Sequence, residues 1–240
     1  MAKPGSRSID LLGKTVEYDV QRSTEASEPR IDVDIHGVTV VLPNSADVHP
    51  ATLLKENAAW VVDKRQQYEA HREQVPDRTF AAGEQFPYLG EPRTLVVEPC
   101  RKHTVQDDTI RLRQSAVEQS SVEQVLENFY RSCARDYLTD RADDYAEQMG
   151  VDYEALELRN QRTRWGSCST NGTLSLNWRI IMAPPDIVDY LLVHELAHLT
   201  EQHHGEEFWN LVAAYVPDYR AKDQWLTENS VKLIFSEDDL

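Results

Sequence analysis

The chain has 240 residues, 40% of them apolar and 28% charged, and 41 acidic against 25 basic side chains set its net charge at −16. That length fits one domain or two small ones, with ample chain to close a core. No apolar run approaches the roughly 18–20 residues of a membrane helix, and the basic stripe of a protein that tracks phosphate backbones is missing. A membrane partner is therefore excluded as an expectation, and direct nucleic-acid binding is disfavoured.

The first ten residues hold no apolar stretch, so no secretory signal is expected and the cytoplasm is the default compartment. Cys100, Cys133 and Cys168 are odd in number and far apart, which argues against a disulfide framework and fits a reducing compartment. The acid is spread along the chain and arginine outnumbers lysine 18 to 7. Distributed acid with little lysine points to a surface adapted to high salt.

In chain order, Val16–Val20 alternates as a strand, and Ile31–Ile35 with Val38–Leu42 reads as a hairpin turning at His36-Gly37. From Pro50 to about Gln74, the residues Leu53, Leu54, Ala58, Trp60, Val61 and Tyr68 recur at helical spacing, predicting one amphipathic helix packed on the sheet. Gly83–Pro92 is rich in turn residues, Arg93–Glu98 reads as a strand, and Thr109–Arg113 is its expected partner. Beyond Ser121 the stripe Val122, Val125, Leu126, Phe129, Tyr130, Cys133 and Tyr137 predicts a long helix that opens on a capping box and ends at Gly150, with a break near Thr139. No internal repeat is evident. A strand-rich region with one long helix over 1–115 is expected to precede a catalytic domain over 116–240.

The chemistry concentrates in Val193-His194-Glu195-Leu196-Ala197-His198-Leu199. A helix starting near Pro184-Pro185-Asp186 would put His194 and His198 one turn apart on one face, about 5–6 Å between Cβ atoms, close enough to share a metal ion. Glu195 is rotated by about 100° from His194, which suits a base acting on zinc-bound water better than a ligand. Burying a glutamate and two histidines in so apolar a helix would be costly without partners.

Catalytic zinc usually takes three protein ligands. His203 and His204 follow, neither in register with His198, so the third ligand must come from a turn that swings back. His204, leading into Glu206–Trp209, is favoured over His203. The spacing of His204 matches the metzincin pattern, but Glu201 stands where that pattern has glycine, which argues against a strict metzincin. Upstream, Arg162–Ser169 and Thr173–Ile181 flank Asn171-Gly172 as a hairpin. Its edge could take an extended substrate by strand addition, or its Trp165, Leu174, Leu176 and Trp178 could simply be core. Arg162, Arg164 and Arg179 add local positive charge that could meet a substrate anion or pair with nearby acids.

Arg164-Trp-Gly-Ser-Cys-Ser169, Leu176-Asn-Trp-Arg179, Ala183-Pro184, Tyr190–Leu199, His204 and Phe208-Trp209 together resemble the YgjP-like metallopeptidase domain. That zincin-like group is similar to the SprT-like and WSS-type metalloproteases. The resemblance is strongest over 150–229 and extends more weakly to Gly83–Glu98 and the N-terminal strands. It implies an α+β fold with a zincin-like core, a hairpin sheet beside the His-Glu-x-x-His helix, and a β-rich N-terminal region. It implies Zn2+ held by His194, His198 and His204, with Glu195 as general base. His204-Gly205-Glu206-Glu207-Phe208 reproduces the SprT-like His-Gly-x-x-Phe, and such relatives act on DNA-bound proteins, a role the acidity here speaks against.

The leading expectation is a zinc-dependent hydrolase of peptide bonds acting on a peptide or protein. One alternative is a metal-dependent hydrolase of nucleotides or other phosphorylated small molecules, motivated by the three arginines. The other is a non-catalytic zinc site closed by His203 or Cys168. Arg164 and Tyr190 are the available candidates for stabilising an oxyanion.

Overall fold

The computed structural model describes residues 7–23, 26, 28–34, 37–72, 75–162, 164–236 and 239. These fall into two compact units, 1–75 and 76–239.

Unit 1 contains β1 (Arg7–Leu11), β2 (Lys14–Ser23), β3 (Arg30–Asp34), β4 (Gly37–Pro43), α1 (Pro50–Glu56) and α2 (Ala58–Arg72). The strands form one sheet in the order β1-β2-β4-β3, with antiparallel outer pairs and a parallel central pair. Ile35 and His36, read as the β3–β4 turn, lie outside the described residues, as do Gln74 and the first six residues. The expected single helix is two. Asn57 interrupts it, leaving the helical region at φ −110° and ψ 20° while its side-chain Nδ2 donates to the Leu53 carbonyl at 2.9 Å. Leu54, Val61 and Val62 pack on Val16, Tyr18, Val38, Val40 and Leu42, while Trp60 points away from that core.

Unit 2 opens with β5 (Gln85–Tyr88), β6 (Glu91–Glu98), β7 (Thr104–Gln106) and β8 (Thr109–Arg113). Their order, β5-β6-β8-β7, repeats the pairing pattern of unit 1 strand for strand. Both first hairpins turn on a Leu-Gly pair with positive φ at each residue, Leu12-Gly13 and Leu89-Gly90. This duplication of topology has no counterpart in obvious sequence similarity.

After α3 (Gln114–Val117) comes α4 (Val122–Met149), one unbroken helix of 28 residues through Thr139. Ser121 Oγ accepts from Gln124 N–H at 3.1 Å, and Gly150 ends the helix in the left-handed conformation. Leu126, Tyr130, Ala134, Leu138, Ala142 and Ala146 repeat every four residues as its buried stripe. Next along the chain are β9 (Ala155–Arg159), β10 (Gly166–Cys168) and β11 (Thr173–Asn177), ordered β10-β11-β9. The Asn171-Gly172 turn joins β10 to β11 as read, but β11 is shorter than expected. Asn177 Oδ1 accepts from Arg179 N–H at 3.1 Å and caps a 3-10 turn over Trp178–Met182. Helices α5 (Pro185–Ala197), α6 (Glu206–Tyr215) and α7 (Tyr219–Asn229) complete the unit.

The boundary read at 115/116 differs from the division at Val75/Pro76. Strands β5 to β8 bury Phe86, Leu95, Ile110 and Leu112 in the same core as Leu126 and Tyr130 of α4, Trp178 and Leu192, so they cannot be parted from the helices of unit 2. Cys100, Cys133 and Cys168 are unpaired thiols. Among the described residues no helix is long and apolar enough to cross a membrane.

Candidate metal centre

Helix α5 carries the site because its other residues fix it. Pro185 starts it, Asp186 lies in its first turn, and Ile187, Val188, Leu191, Leu192 and Leu196 are buried. Arg141 of α4 clamps Asp189 with two hydrogen bonds, Nε to Oδ1 at 3.0 Å and Nη2 to Oδ2 at 2.7 Å. His198 sits at the helix end, where Leu199, Thr200 and Glu201 bond back to Leu196 and Ala197 and stop the spiral. The chain then returns through His203 and His204 to Gly205, which opens α6.

This return brings His204 beside His194 and His198, with one ligand atom from each ring all within 4.8 Å of one another. His194 Nε2 and His204 Nε2 are 3.1 Å apart. His198 Nδ1 lies 3.1 Å from the Glu201 carbonyl, so the tautomer that donates there turns the Nε2 lone pair inward. His203 and Cys168 line the cleft but stand outside the trio. The closed four-ligand arrangement is not assembled among the described residues.

A residue that sequence reasoning left without a role sits under all three imidazoles. The Phe208 ring centroid is 4.9, 4.6 and 4.7 Å from those of His194, His198 and His204, and the side chain is fully buried. Trp209 stacks on His204 and on Tyr219, and the Tyr190 ring meets His194 edge-on at 5.8 Å. Tyr190 spends its hydroxyl on Asp223 at 3.0 Å and is 3% exposed, which removes it as an oxyanion donor.

Glu195 is 4% exposed, and its Oε2 has no hydrogen-bond partner, as is true of His194 Nδ1. Burial pushes the Glu195 carboxyl up to about 7, with the Arg164 guanidinium pulling the other way. Burial, then the neighbouring His198 and His204, lowers His194 to about 4, leaving it neutral. Gly166 of β10 lies directly on the carboxylate. A Cβ there would stand 2.7 Å from Glu195 Cδ and closer still to Oε1, so glycine is what admits the carboxylate to this position. The tryptophan-glycine-serine-cysteine motif carried that signal, but the contact partner is not visible from spacing.

Three imidazoles converging beside an orphaned carboxylate oxygen fit a borderline-soft divalent ion such as zinc. They face a cleft of about 410 Å³ walled on the other side by Gly166–Thr170. Of the three nearby arginines, Arg179 is not available to substrate. It is 4% exposed, bonded to Asn177 and Gln161, and paired with Asp239. Arg162 and Arg164 are exposed.

A histidine trio that could hold a metal ion, with a buried glutamate between two of its members, stands on a mixed helix and sheet scaffold. The sequence profile of the YgjP-like metallopeptidase domain matches residues 27–229, and the chain belongs to that family. Two crystal structures are similar to part of it. The metallopeptidase zymogen abylysin of Pyrococcus abyssi is 21% identical, with 40% of this chain and 99% of that one covered and a TM-score of 0.36. The metallopeptidase zymogen jannalysin of Methanocaldococcus jannaschii is 18% identical, with 38% and 96% covered and a TM-score of 0.33. No curated protein matches the chain in sequence.

Proposed function

We propose that the protein is a zinc metallopeptidase that hydrolyses peptide bonds of a peptide or protein substrate, with His194, His198 and His204 as metal ligands and Glu195 as general base. The observation that carries this reading is the Glu195 Oε2 atom, buried and without a hydrogen-bond partner beside three convergent ring nitrogens. Zinc held there would polarise the scissile carbonyl and acidify water. Glu195 takes the proton from the attacking water at its free oxygen and returns it to the leaving amine. Its carboxyl, brought near neutrality by burial, is suited to both transfers. Gly166 keeps that oxygen accessible, and Phe208 holds the ligand rings.

Strand β10 is an edge of its sheet and lines the cleft, so an extended substrate can add to it by backbone pairing. Arg164, exposed and close enough to act on the Glu195 charge, is the remaining candidate for steadying the oxyanion. Locking Arg179 into the fold weakens the nucleotide-hydrolase alternative, which drew on its guanidinium. The test is a side-by-side screen of peptides and nucleoside triphosphates on metal-loaded and chelator-treated protein. Peptide cleavage that disappears with the metal and returns with zinc is expected. Nucleotide turnover without peptide cleavage would overturn the proposal.

A further inference from the structure

Gln161 and Trp165, on the way into β10, are held from beneath. Asn177 donates its backbone N–H to the Trp165 carbonyl and its side-chain Nδ2 to the Gln161 carbonyl, both at 2.7 Å. Arg179 donates Nη2 to the same Gln161 carbonyl at 3.0 Å and lies over the Trp165 ring at 5.6 Å. A guanidinium this buried needs a counter-charge, and the like charges of Arg131 and Arg162 deepen that need.

Asp239 supplies it. Its carboxylate, itself buried, is 3.8 Å from Arg179 Nη1 and accepts from Asn160 Nδ2 at 2.7 Å. The Phe235 and Ser236 N–H groups close on its other side, at 3.1 and 3.2 Å. Phe235 anchors the segment among Phe80, Phe86, Tyr130 and Trp178. This segment lies beyond residue 229, where the family profile match ends.

We propose that Asp239 is a positioning residue: by binding Arg179 and Asn160 it fixes Asn160, Gln161 and Trp165 ahead of β10 and so sets Gly166 against Glu195 at the cleft wall. Only the catalytic consequence rests on the metallopeptidase reading; the positioning itself does not.

The experiment is hydrogen exchange by mass spectrometry on the full-length protein and Asp239→Asn, comparing peptides covering 159–169 with peptides covering α4, alongside zinc affinity. Exchange in 159–169 should rise about tenfold or more, with α4 unchanged and zinc affinity held. Cleavage, if the metallopeptidase reading stands, should fall up to about 100-fold. Because removing one member of a buried pair can unfold a protein, Arg179→Met/Asp239→Leu, which removes both charges, serves as the second variant. It should keep α4 as protected as in the unaltered protein while 159–169 stays fast, since the guanidinium contacts to Gln161 and Trp165 are gone. Equal acceleration in α4 and 159–169, no acceleration, or unfolding of both variants would overturn the proposal. A protein that cleaves nothing but shows the selective exchange would retain this inference and lose the catalytic one.

Discussion

At the tip of the first hairpin of unit 1, Leu12 is 69% exposed and a Cβ on Gly13 would meet open space. At the same place in unit 2, Leu89 donates its N–H to the Ile181 carbonyl at 2.8 Å and Gly90 to the Met182 carbonyl at 3.2 Å. A Cβ on Gly90 would stand 2.9 Å from the backbone of Pro184, the residue that caps α5. Two sheets with one strand order and one turn dipeptide thus differ in what the turn touches. In unit 2 the turn brackets the start of the helix that carries His194 and Glu195. In unit 1 it has no such task. The chemistry of unit 2 depends on contacts made to a sheet of ordinary design, not on the design of the sheet.

The sharpest way to strain this contrast lies inside unit 2. Gly166→Ala drives a methyl group into the Glu195 carboxylate, and peptide cleavage should fall at least about 100-fold with zinc still bound, because the base is displaced while the histidines are not. Steady-state kinetics with metal analysis would check this.

Next comes the pair of turns. Gly90→Ala meets both a left-handed φ of 81° and the Pro184 backbone, and should cost about 2–4 kcal/mol. Gly13→Ala meets only the φ of 79° and should cost about 1–2 kcal/mol. Denaturant titrations of both variants measure the difference, and equal losses would dissolve the comparison.

The smallest expected effect concerns charge. Residues 1–75 hold 9 basic and 12 acidic side chains, whereas 76–240 hold 16 and 29. Screening by salt should therefore stabilise unit 2 more than unit 1, by about 1 kcal/mol on going from about 0.1 to about 1 M KCl. Trp60, alone among the tryptophans in lying within unit 1, gives a separate optical probe of that unit. Stability indifferent to salt would remove the proposed adaptation to high salt.

Features governed by local chemistry were legible from the sequence. Ser121 and Gly150 bound α4, Asn171-Gly172 turns the β10–β11 hairpin, and Pro185 starts α5, each through its own backbone preferences. The features that escaped depended on partners far along the chain. Strands β7 and β9 are short and known by their neighbours. The division at Val75 arises because β5–β8 share a core with α4. The sequence leaves Arg179 open between a substrate anion and a nearby acid until Asp239, some sixty residues later, is seen to bind it. At the metal centre the histidine spacing on α5 and the need for a turn that swings His204 back were plain. The Phe208 ring beneath the trio and the seat of Glu195 on Gly166 were not, since each is a tertiary contact.

The central claim is that Glu195 carries the proton and the three histidines hold the metal. Replacing Glu195 by Gln keeps the shape of the buried side chain and removes its ability to act as a base. Zinc content and peptide cleavage measured together on Glu195→Gln decide the matter. About one zinc per chain retained with cleavage lowered by at least about 100-fold is the predicted result, and undiminished cleavage by a fully zinc-loaded variant would contradict it.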